Sequence, residues 1–264
     1  MSSRAAAIEA ARSLARVVSI LPSAENVSRA LSGITWSRPS SEGRPDPYML
    51  KVLRFLSDRI VSISEREDPW SAPEFRLFSE AFMLSGEFQE AVKRGVALVK
   101  PRPGSAALDL HSGPGVCLEL IGSQWSKLIA VDPSPYNLEL VEERLRGIRV
   151  SNYELLLGDC EKVASLVRDP VGLAVAASPV NWFYNINFIV NRLYATVEPG
   201  GSVLLVAPIE KAGEVNPLLP FILALNGRAP PSRERLEDTL LSEGFARVRV
   251  REGELLSTIV AVKP

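Results

Sequence analysis

The spacing of apolar residues divides the chain into two parts. Before residue 100, apolar residues recur every three or four positions, which predicts amphipathic helices. One such stripe consists of Ile8, Ala11, Leu14, Val18 and Leu21. From Ala106 onward, short apolar runs alternate with helical segments, the pattern of a sheet covered by helices on both faces. We predict an N-terminal helical region over residues 1–100 and an α/β domain over residues 101–264.

Parallel strands are buried on both faces, so each is expected as a short, continuous apolar run. Five such runs are Ala106–Leu110, Lys127–Asp132, Tyr153–Leu157, Gly172–Ala177 and Ser202–Ala207. The helices predicted between and after them are Val116–Ser123, Pro135–Arg146, Glu161–Val167, Tyr184–Val197 and, approximately, Ser232–Ser242.

The end of the chain departs from this alternation. Two strands, Ala246–Arg251 and Leu255–Val262, are joined through Glu252 and Gly253, and a link this short makes an antiparallel hairpin. The predicted fold class is therefore α/β: a doubly wound, Rossmann-like, mostly parallel sheet with a C-terminal antiparallel hairpin, preceded by an N-terminal helical region.

Composition and charge argue against several classes of protein. The 30 basic and 31 acidic side chains leave a formal charge of −1, whereas proteins that neutralise nucleic-acid phosphates usually have a basic excess. His111 is the single histidine, so a histidine-rich metal centre is excluded and we predict no metal. Cys117 and Cys160 lack the spacing of zinc or redox motifs, as expected of reduced thiols in the cytoplasm. We expect no membrane span and no signal peptide, because the apolar runs are short and charges interrupt the Ala-rich start.

The candidate chemistry lies where two predicted strands end. Residues 108–115 read Leu-Asp-Leu-His-Ser-Gly-Pro-Gly, so a strand containing Asp109 turns through Gly113 and Gly115 into a helix. The next strand ends at Asp132, 23 positions after Asp109. In an open parallel sheet, adjacent strands bring both carboxylates to the edge where ligands bind. A glycine turn beside a carboxylate suited to a ribose diol describes a nucleoside site.

These motifs resemble those of the class I S-adenosylmethionine-dependent methyltransferases, over about residues 100–264. The first motif of that family is an acidic residue followed by glycines at alternate positions. In this chain those positions are Asp109, His111, Gly113 and Gly115, with histidine in place of the first glycine. Asp132 matches the acid that ends the second strand of the family, and Asp159 matches the acid after the third. Residues 198–201 resemble the turn before its fifth strand, and the family fold also ends in an antiparallel hairpin.

The resemblance implies S-adenosyl-L-methionine as cofactor and assigns roles to these residues. The loop amides through Gly113 and Gly115 would approach the methionine part of the cofactor. Asp132 would accept hydrogen bonds from the ribose hydroxyls, and Pro133 with its neighbours would flank adenine. Asp159 would accept from the adenine amino group, while the Cys160 amide would donate to the ring.

Four further positions belong to the implied site or could face the substrate. Asp109 would lie near the cofactor ammonium or form a hydrogen bond within the loop. Ser178 follows the fourth strand, where the family often places residues near the reacting centre, and Asn181 and Trp182 could face the substrate there. The sequence identifies no catalytic residue.

Structural interpretations of the same residues stay open. Gly113 and Gly115 could form an ordinary strand-to-helix turn, and Asp132 and Asp159 could cap the helices that follow them. His111 could narrow or contact the methionine pocket, act as a base, or brace the loop. Cys117 is expected to be a small buried hydrophobic residue.

The leading functional hypothesis is methyl transfer from S-adenosyl-L-methionine to an unidentified small-molecule acceptor, not to nucleic acid. Transfer of the cofactor's aminoalkyl arm, as in nicotianamine synthase-like enzymes, is one alternative, and a non-catalytic cofactor-binding module is another. A dinucleotide-dependent oxidoreductase would require a third glycine where this chain has Leu118. The N-terminal helices and residues 208–231 could cover the substrate, and the helices could form a homo-oligomer interface.

Overall fold

The structure is a computed structural model and describes residues 83–84, 86–178, 181, 185–208, 231–253 and 256–264. The seven strands are β1 (Ala106–Leu110), β2 (Lys127–Asp132), β3 (Tyr153–Leu157), β4 (Val171–Ala176), β5 (Val197–Ala207), β6 (Ala246–Glu252) and β7 (Ser257–Val262). The helices are α1 (Gly86–Val96), α2 (Val116–Ile121), α3 (Pro135–Gly147), α4 (Val163–Leu166), α5 (Ile186–Thr196) and α6 (Arg233–Glu243). The helices predicted before residue 83 and the predicted cover over residues 209–230 lie outside the described residues.

The strands form one sheet in the order β3-β2-β1-β4-β5-β7-β6. Strands β1 to β5 pair in parallel, and β7 lies antiparallel between β5 and β6. The predicted doubly wound sheet with a C-terminal antiparallel hairpin is confirmed.

The strand ends that carry the candidate site agree with the prediction, because β1, β2 and β3 begin and end at the predicted residues. Most other boundaries differ by one or two residues, and two differences concern the predicted turns. Strand β5 begins at Val197, five residues early, because Val197 pairs with Val171 of β4 and Gly200 donates to the Lys263 carbonyl at 2.8 Å. The expected turn at residues 198–201 is therefore part of an irregular strand. The hairpin connection runs from Gly253 to Leu256 and has four residues, whereas the predicted strand bounds leave three.

The core forms two layers, one on each face of the sheet. Side chains of α1, α2 and α3 pack on one face and share a cluster with alternate residues of the central strands. Side chains of α4, α5 and α6 pack on the other face in a second cluster. Both faces of β4 are covered, and all six of its residues are buried. Among the described residues, no helix has the length and apolarity that a membrane crossing needs.

Helix α1 packs directly on the sheet, although it lies in the predicted N-terminal region. The Thr258 hydroxyl of β7 donates to the Ala91 carbonyl at 2.7 Å, and the Leu256 amide donates to Glu87 at 3.3 Å. Gly95 lets the helix approach the sheet, since a Cβ there would lie 2.1 Å from Leu204 Cδ1. The packing joins residues 86–96 to the sheet, and the division at residue 100 stays a prediction.

The contact at Gly95 gives a stability prediction. Alanine in a helix interior is favoured over glycine by about 1 kcal/mol, but overpacking a core costs about 1–3 kcal/mol. We expect Gly95→Ala to lower the free energy of unfolding, measured by urea denaturation, because Leu204 and Thr258 leave no room for the methyl group. The control is Gly147→Ala in α3, where a Cβ meets nothing within 4 Å, and it is expected to be neutral or stabilising. A stabilised Gly95→Ala variant would contradict the close packing of α1.

Candidate functional site

The predicted site residues lie together at the carboxyl edge of the sheet. The loop 111–115 follows β1, Asp132 ends β2, Asp159 follows β3, and Ser178 follows β4. From β1 the chain passes to β2 and β3 on one side, while β4 and β5 lie on the other side. Such a change of direction opens a crevice beyond the strand ends, and ligands of open α/β sheets bind there.

The loop after β1 has three residues in the left-handed conformation. The φ angles are 55° at His111, 53° at Gly113 and 80° at Gly115. Glycine adopts this conformation readily, but histidine does so at a cost. Gly115 is restricted further, because a Cβ there would lie 3.2 Å from the backbone of Val141 in α3. The loop and helix α3 therefore touch through this glycine.

The carboxylate of Asp132 joins the loop after β1 to the turn after β2. One oxygen accepts the Gly113 amide at 2.9 Å. The other accepts the Ser134 amide at 2.9 Å and the Asn137 side-chain amide at 3.0 Å. A carboxylate has about four acceptor positions, so these three donors occupy most of them. Asp132 is 1% exposed and fixes the position of the glycine loop relative to α3.

Asp132 is not the N-cap of helix α3. The N-cap of α3 is Ser134, whose hydroxyl accepts from the Asn137 amide. Asp132 instead stabilises the turn that precedes the helix. Sequence reasoning missed Asn137 as a partner of this carboxylate, and its position five residues after Asp132 is the signal that was available.

The amides of the loop donate hydrogen bonds within the protein. The Gly113 amide donates to Asp132, and the Gly115 amide donates to the Ser112 carbonyl at 3.0 Å. The Ser112 amide donates to the Val131 carbonyl at 3.2 Å. In this conformation the amides of Gly113 and Gly115 therefore already donate to protein acceptors. The absence of a side chain at the two glycines still allows a ligand to approach the backbone closely.

Asp109 is buried beneath the loop. Its neighbours Leu108 and Leu110 face one layer of the core, so Asp109 faces the other, with Cys117 of α2. Among the described residues, no N–H or O–H group donates to either carboxylate oxygen. Burial and the charge of Asp132 raise the pKa of Asp109 well above its usual value, and the Cys117 thiol offsets this in part. Burial likewise raises the pKa of Cys117, a buried residue as predicted.

His111 is fully buried and bonds to Asn181. The His111 Nδ1 and Asn181 Oδ1 atoms are 2.7 Å apart, and Asn181 Nδ2 donates to the Leu110 carbonyl at 3.0 Å. A carbonyl only accepts, so the amide nitrogen of Asn181 must face Leu110 and its oxygen must face His111. The proton therefore lies on Nδ1, and Nε2 is the acceptor nitrogen of the ring.

Burial also sets the charge of His111. It lowers the pKa of the ring to about 4, although Asn181 and the charge of Asp159 act in the opposite direction. The ring is consequently neutral at physiological pH. A general base works best with a pKa near the working pH, so the base interpretation of His111 loses support.

The remaining predicted residues lie around this centre. One oxygen of Asp159 accepts the Glu161 amide at 3.0 Å in a turn before α4, and the N-cap of that helix is Lys162. Cys160 and Ser178 are buried, and the Ser178 carbonyl accepts the Asn181 amide at 2.9 Å. Pro133 is half-buried, and Trp182 lies outside the described residues.

Within the described part of the chain, no group of three or more potential ligands could hold a metal ion.

Comparison with known proteins agrees with this geometry. Residues 108–205 match the family described as a methyltransferase domain. The resemblance to the class I S-adenosylmethionine-dependent methyltransferases is confirmed. Over 101 residues the chain is 28% identical to malonyl-[acyl-carrier protein] O-methyltransferase of Priestia megaterium, which is 38% of this chain and 35% of that protein. The chain thus spans about a third of the length of this curated relative.

Solved structures share the fold at low sequence identity. An O-methyltransferase family protein from Burkholderia thailandensis superposes with a TM-score of 0.61 and 14% identity, covering 82% of this chain and 70% of that one. Mitomycin 7-O-methyltransferase MmcR superposes with a TM-score of 0.60 and 17% identity, covering 83% and 69%. At this identity the likeness establishes the fold alone.

Two glycine variants separate the effect of the contact between Gly115 and α3 on stability from the effect of the left-handed backbone. Gly104 has a φ of 81°, almost that of Gly115, but a Cβ there meets nothing within 4 Å. A left-handed alanine costs about 1–2 kcal/mol at either position. We expect Gly115→Ala to lose at least ~1 kcal/mol more than Gly104→Ala in urea denaturation, because its methyl group also meets Val141. Equal losses would contradict the packing of the loop on α3.

The raised pKa of Asp109 predicts that the free energy of unfolding depends on pH. Below the unfolded pKa of about 3.9, both states are protonated and Asp109 has no effect. As the pH rises above that value, the unfolded chain releases its proton first, so stability falls until the raised folded pKa is reached. We expect Asp109→Asn to be more stable than the wild type at pH 7.5 and to differ less at pH 4, in urea denaturation without ligand. Each pKa unit contributes about 1.4 kcal/mol.

The control for this experiment is Asp238→Asn in α6, which replaces an exposed carboxylate. It is expected to stay within about 0.5 kcal/mol of the wild type at both pH values. A destabilised Asp109→Asn variant at pH 7.5, with unchanged pH dependence, would show that the Asp109 carboxylate has a partner in solution.

Proposed function

We propose that this chain is a methyltransferase that transfers the methyl group of S-adenosyl-L-methionine to a small-molecule acceptor. The observation that carries the proposal is the arrangement of acidic side chains and glycines at one edge of the sheet. Asp132 and Asp159 follow neighbouring strands, and the loop of Gly113 and Gly115 lies beside them. Membership of residues 108–205 in the methyltransferase domain family supports the same conclusion.

The charge of the site favours this cofactor over a dinucleotide. Asp132 and Asp159 place negative charge at the edge, and the charge of Asp132 raises the pKa of the buried Asp109 carboxyl. S-adenosyl-L-methionine carries a sulfonium and an ammonium group, which such an edge attracts. The pyrophosphate of NAD is anionic and would be repelled. A cationic ligand at this edge would favour the charged form of the buried Asp109 carboxyl, for which no described nitrogen or oxygen donor is present.

Different residues of the site would bind different parts of the cofactor. Asp159 and the Cys160 amide would hold adenine, with Pro133 against the ring, and Asp132 would accept from the ribose. Because protein donors already surround Asp132, the ribose hydroxyls would share its acceptor oxygens with these donors or replace one of them. Gly113 and Gly115 would allow close approach. The bound cofactor supplies a methyl group already activated by the positive sulfur, so the chain mainly has to align the acceptor.

Neither Asp109 nor His111 has the properties of a general base. Asp109 is buried with a raised pKa, and the neutral ring of His111, with a pKa of about 4, is a weak base. An acceptor that is already nucleophilic suits such a site. The curated relative is named for O-methylation of a malonyl group, so acidic hydroxyl and carboxyl compounds are the first acceptors to test.

Ligand binding tests the proposal directly. We expect calorimetry to show binding of S-adenosylhomocysteine and no binding of NAD. Asp132→Ala is expected to weaken S-adenosylhomocysteine binding by about tenfold or more, since a hydrogen bond to a charged group contributes about 1.5–3 kcal/mol. The control is Asp169→Asn, a carboxylate before β4 at the opposite edge of the sheet, which should leave the affinity unchanged.

Two results would contradict the proposal. Binding of NAD alone would favour an oxidoreductase, and unchanged affinity in a folded Asp132→Ala variant would remove the ribose assignment. Product analysis separates the remaining alternatives, because methyl transfer yields S-adenosylhomocysteine and aminoalkyl transfer yields methylthioadenosine. A non-catalytic module would yield neither product with any acceptor.

A further inference from the structure

Three arginine side chains lie where helix α1 meets the end of the edge strand β6. Arg94 belongs to α1, and its guanidinium group lies against the hairpin that follows β6, because a Cβ on Gly253 would be 2.7 Å from Arg94 Nη2. Arg249 and Arg251 belong to β6, at alternate positions and therefore on one face of the strand. We call these three arginines the arginine cluster.

The pairing of β6 with β7 places the two strand arginines on the same face as α1. Arg251 is opposite Thr258, and the Thr258 hydroxyl donates to the Ala91 carbonyl of α1. Ala91 precedes Arg94 by three residues, so their side chains are neighbours on the helix. Paired strands are about 4.8 Å apart, which brings the long side chains of Arg94 and Arg251 within reach of one ligand.

The described residues leave the charge of the arginine cluster uncompensated. None of the ion pairs among them includes Arg94, Arg249 or Arg251. Glu90 lies one turn before Arg94 in α1, but its carboxylate pairs with Lys93 at 2.8 Å. Three positive charges therefore share this corner of the molecule without a described carboxylate to pair with.

The guanidinium group of Arg94 also lacks hydrogen-bond acceptors. Its Nε and Nη2 atoms are buried, and neither donates to an acceptor among the described residues. Arginine is almost never enclosed without a partner, because a buried N–H group without an acceptor destabilises the fold. Charged side chains on an edge strand often prevent pairing with another sheet. That role suits Arg249 and Arg251, but it does not account for an enclosed guanidinium group on a helix.

We propose that the arginine cluster is a second binding site, which takes the phosphate group of a small phosphorylated molecule. Guanidinium groups bind phosphate oxygens through pairs of parallel hydrogen bonds, which would supply the acceptors that Arg94 lacks. Three positive charges also attract an anion with several negative charges more strongly than a monocarboxylate. The formal charge of −1 disfavours a nucleic-acid strand, which needs a more extensive basic surface.

The arginine cluster is separate from the proposed cofactor site. In the sheet, β6 is four strands away from β1, which is a distance of about 19 Å. A ligand at the arginine cluster would therefore leave the crevice beside Gly113 and Asp132 open. The inference goes beyond the proposed function and does not depend on it.

Calorimetry with pyrophosphate, a small molecule with two linked phosphate groups, tests the site in the full chain. At constant ionic strength, which keeps charge screening equal, we expect one pyrophosphate per chain and an affinity at least about tenfold higher than for acetate. Arg94→Met removes the charge and keeps an unbranched side chain, and it should weaken pyrophosphate binding by about tenfold or more. Arg251→Gln replaces an exposed residue, so it is expected to fold, and it should weaken binding as well.

Two control variants keep the affinity for pyrophosphate. Arg235→Gln removes an exposed arginine of α6, on the opposite face of the sheet. Asp132→Ala alters the proposed cofactor site and leaves the arginine cluster intact. Urea denaturation supplies a second measurement, because a ligand that binds only the folded state stabilises it. Pyrophosphate should raise the urea midpoint of the wild type and of both controls, and it should raise that of Arg94→Met much less.

Three results would overturn the inference. The first is a wild type that binds pyrophosphate no more tightly than acetate. The second is unchanged pyrophosphate affinity in Arg251→Gln and in a folded Arg94→Met variant. The third is single-stranded RNA that binds more tightly than pyrophosphate with an affinity that rises with its length, since the arginine cluster would then belong to a nucleic-acid surface. None of these results bears on the binding of S-adenosylhomocysteine, so the proposed function is tested independently.

Discussion

The hydrogen bonds of the Asp132 carboxylate determine the arrangement of the candidate site. This buried group joins the amide of Gly113 to the turn that begins α3, so the loop after β1 and the turn after β2 hold one shape together. The contact of Gly115 with Val141 adds a second connection between the same elements. Arg144 of α3 adds a third, because its Nε donates to the Pro114 carbonyl at 2.8 Å. The crevice at the strand ends is preorganised by these contacts before any ligand is considered.

The same edge carries unfavourable interactions that the fold tolerates. Asp109 is buried beside the charge of Asp132, and His111 has a left-handed backbone. Asp109 lies near the end of β1, and His111 lies in the loop that follows it. Strained or poorly solvated groups tend to cluster at functional sites, where the ligand supplies the missing interaction. A cofactor with two positive groups would offset the clustered carboxylates.

The sequence predicted the fold well where local pattern decides structure. The apolar runs of β1 and β2 end at the predicted residues, because parallel strands buried on both faces leave a clear boundary. The half-buried edge strand β3 also ends where predicted. The start of β5 was missed, since the pairing of Val197 with Val171 depends on long-range contacts. The same limit applies within the site. The acids and glycines were found from their spacing, but the pairing of His111 with Asn181, 70 residues away, has no local signal.

A crystal structure of the chain with S-adenosylhomocysteine tests the account most directly. It is predicted to place adenine at Asp159 and the ribose hydroxyls within hydrogen-bond distance of Asp132. A ligand bound away from this edge, or a ribose turned away from an Asp132 that keeps its three protein donors, would contradict the account.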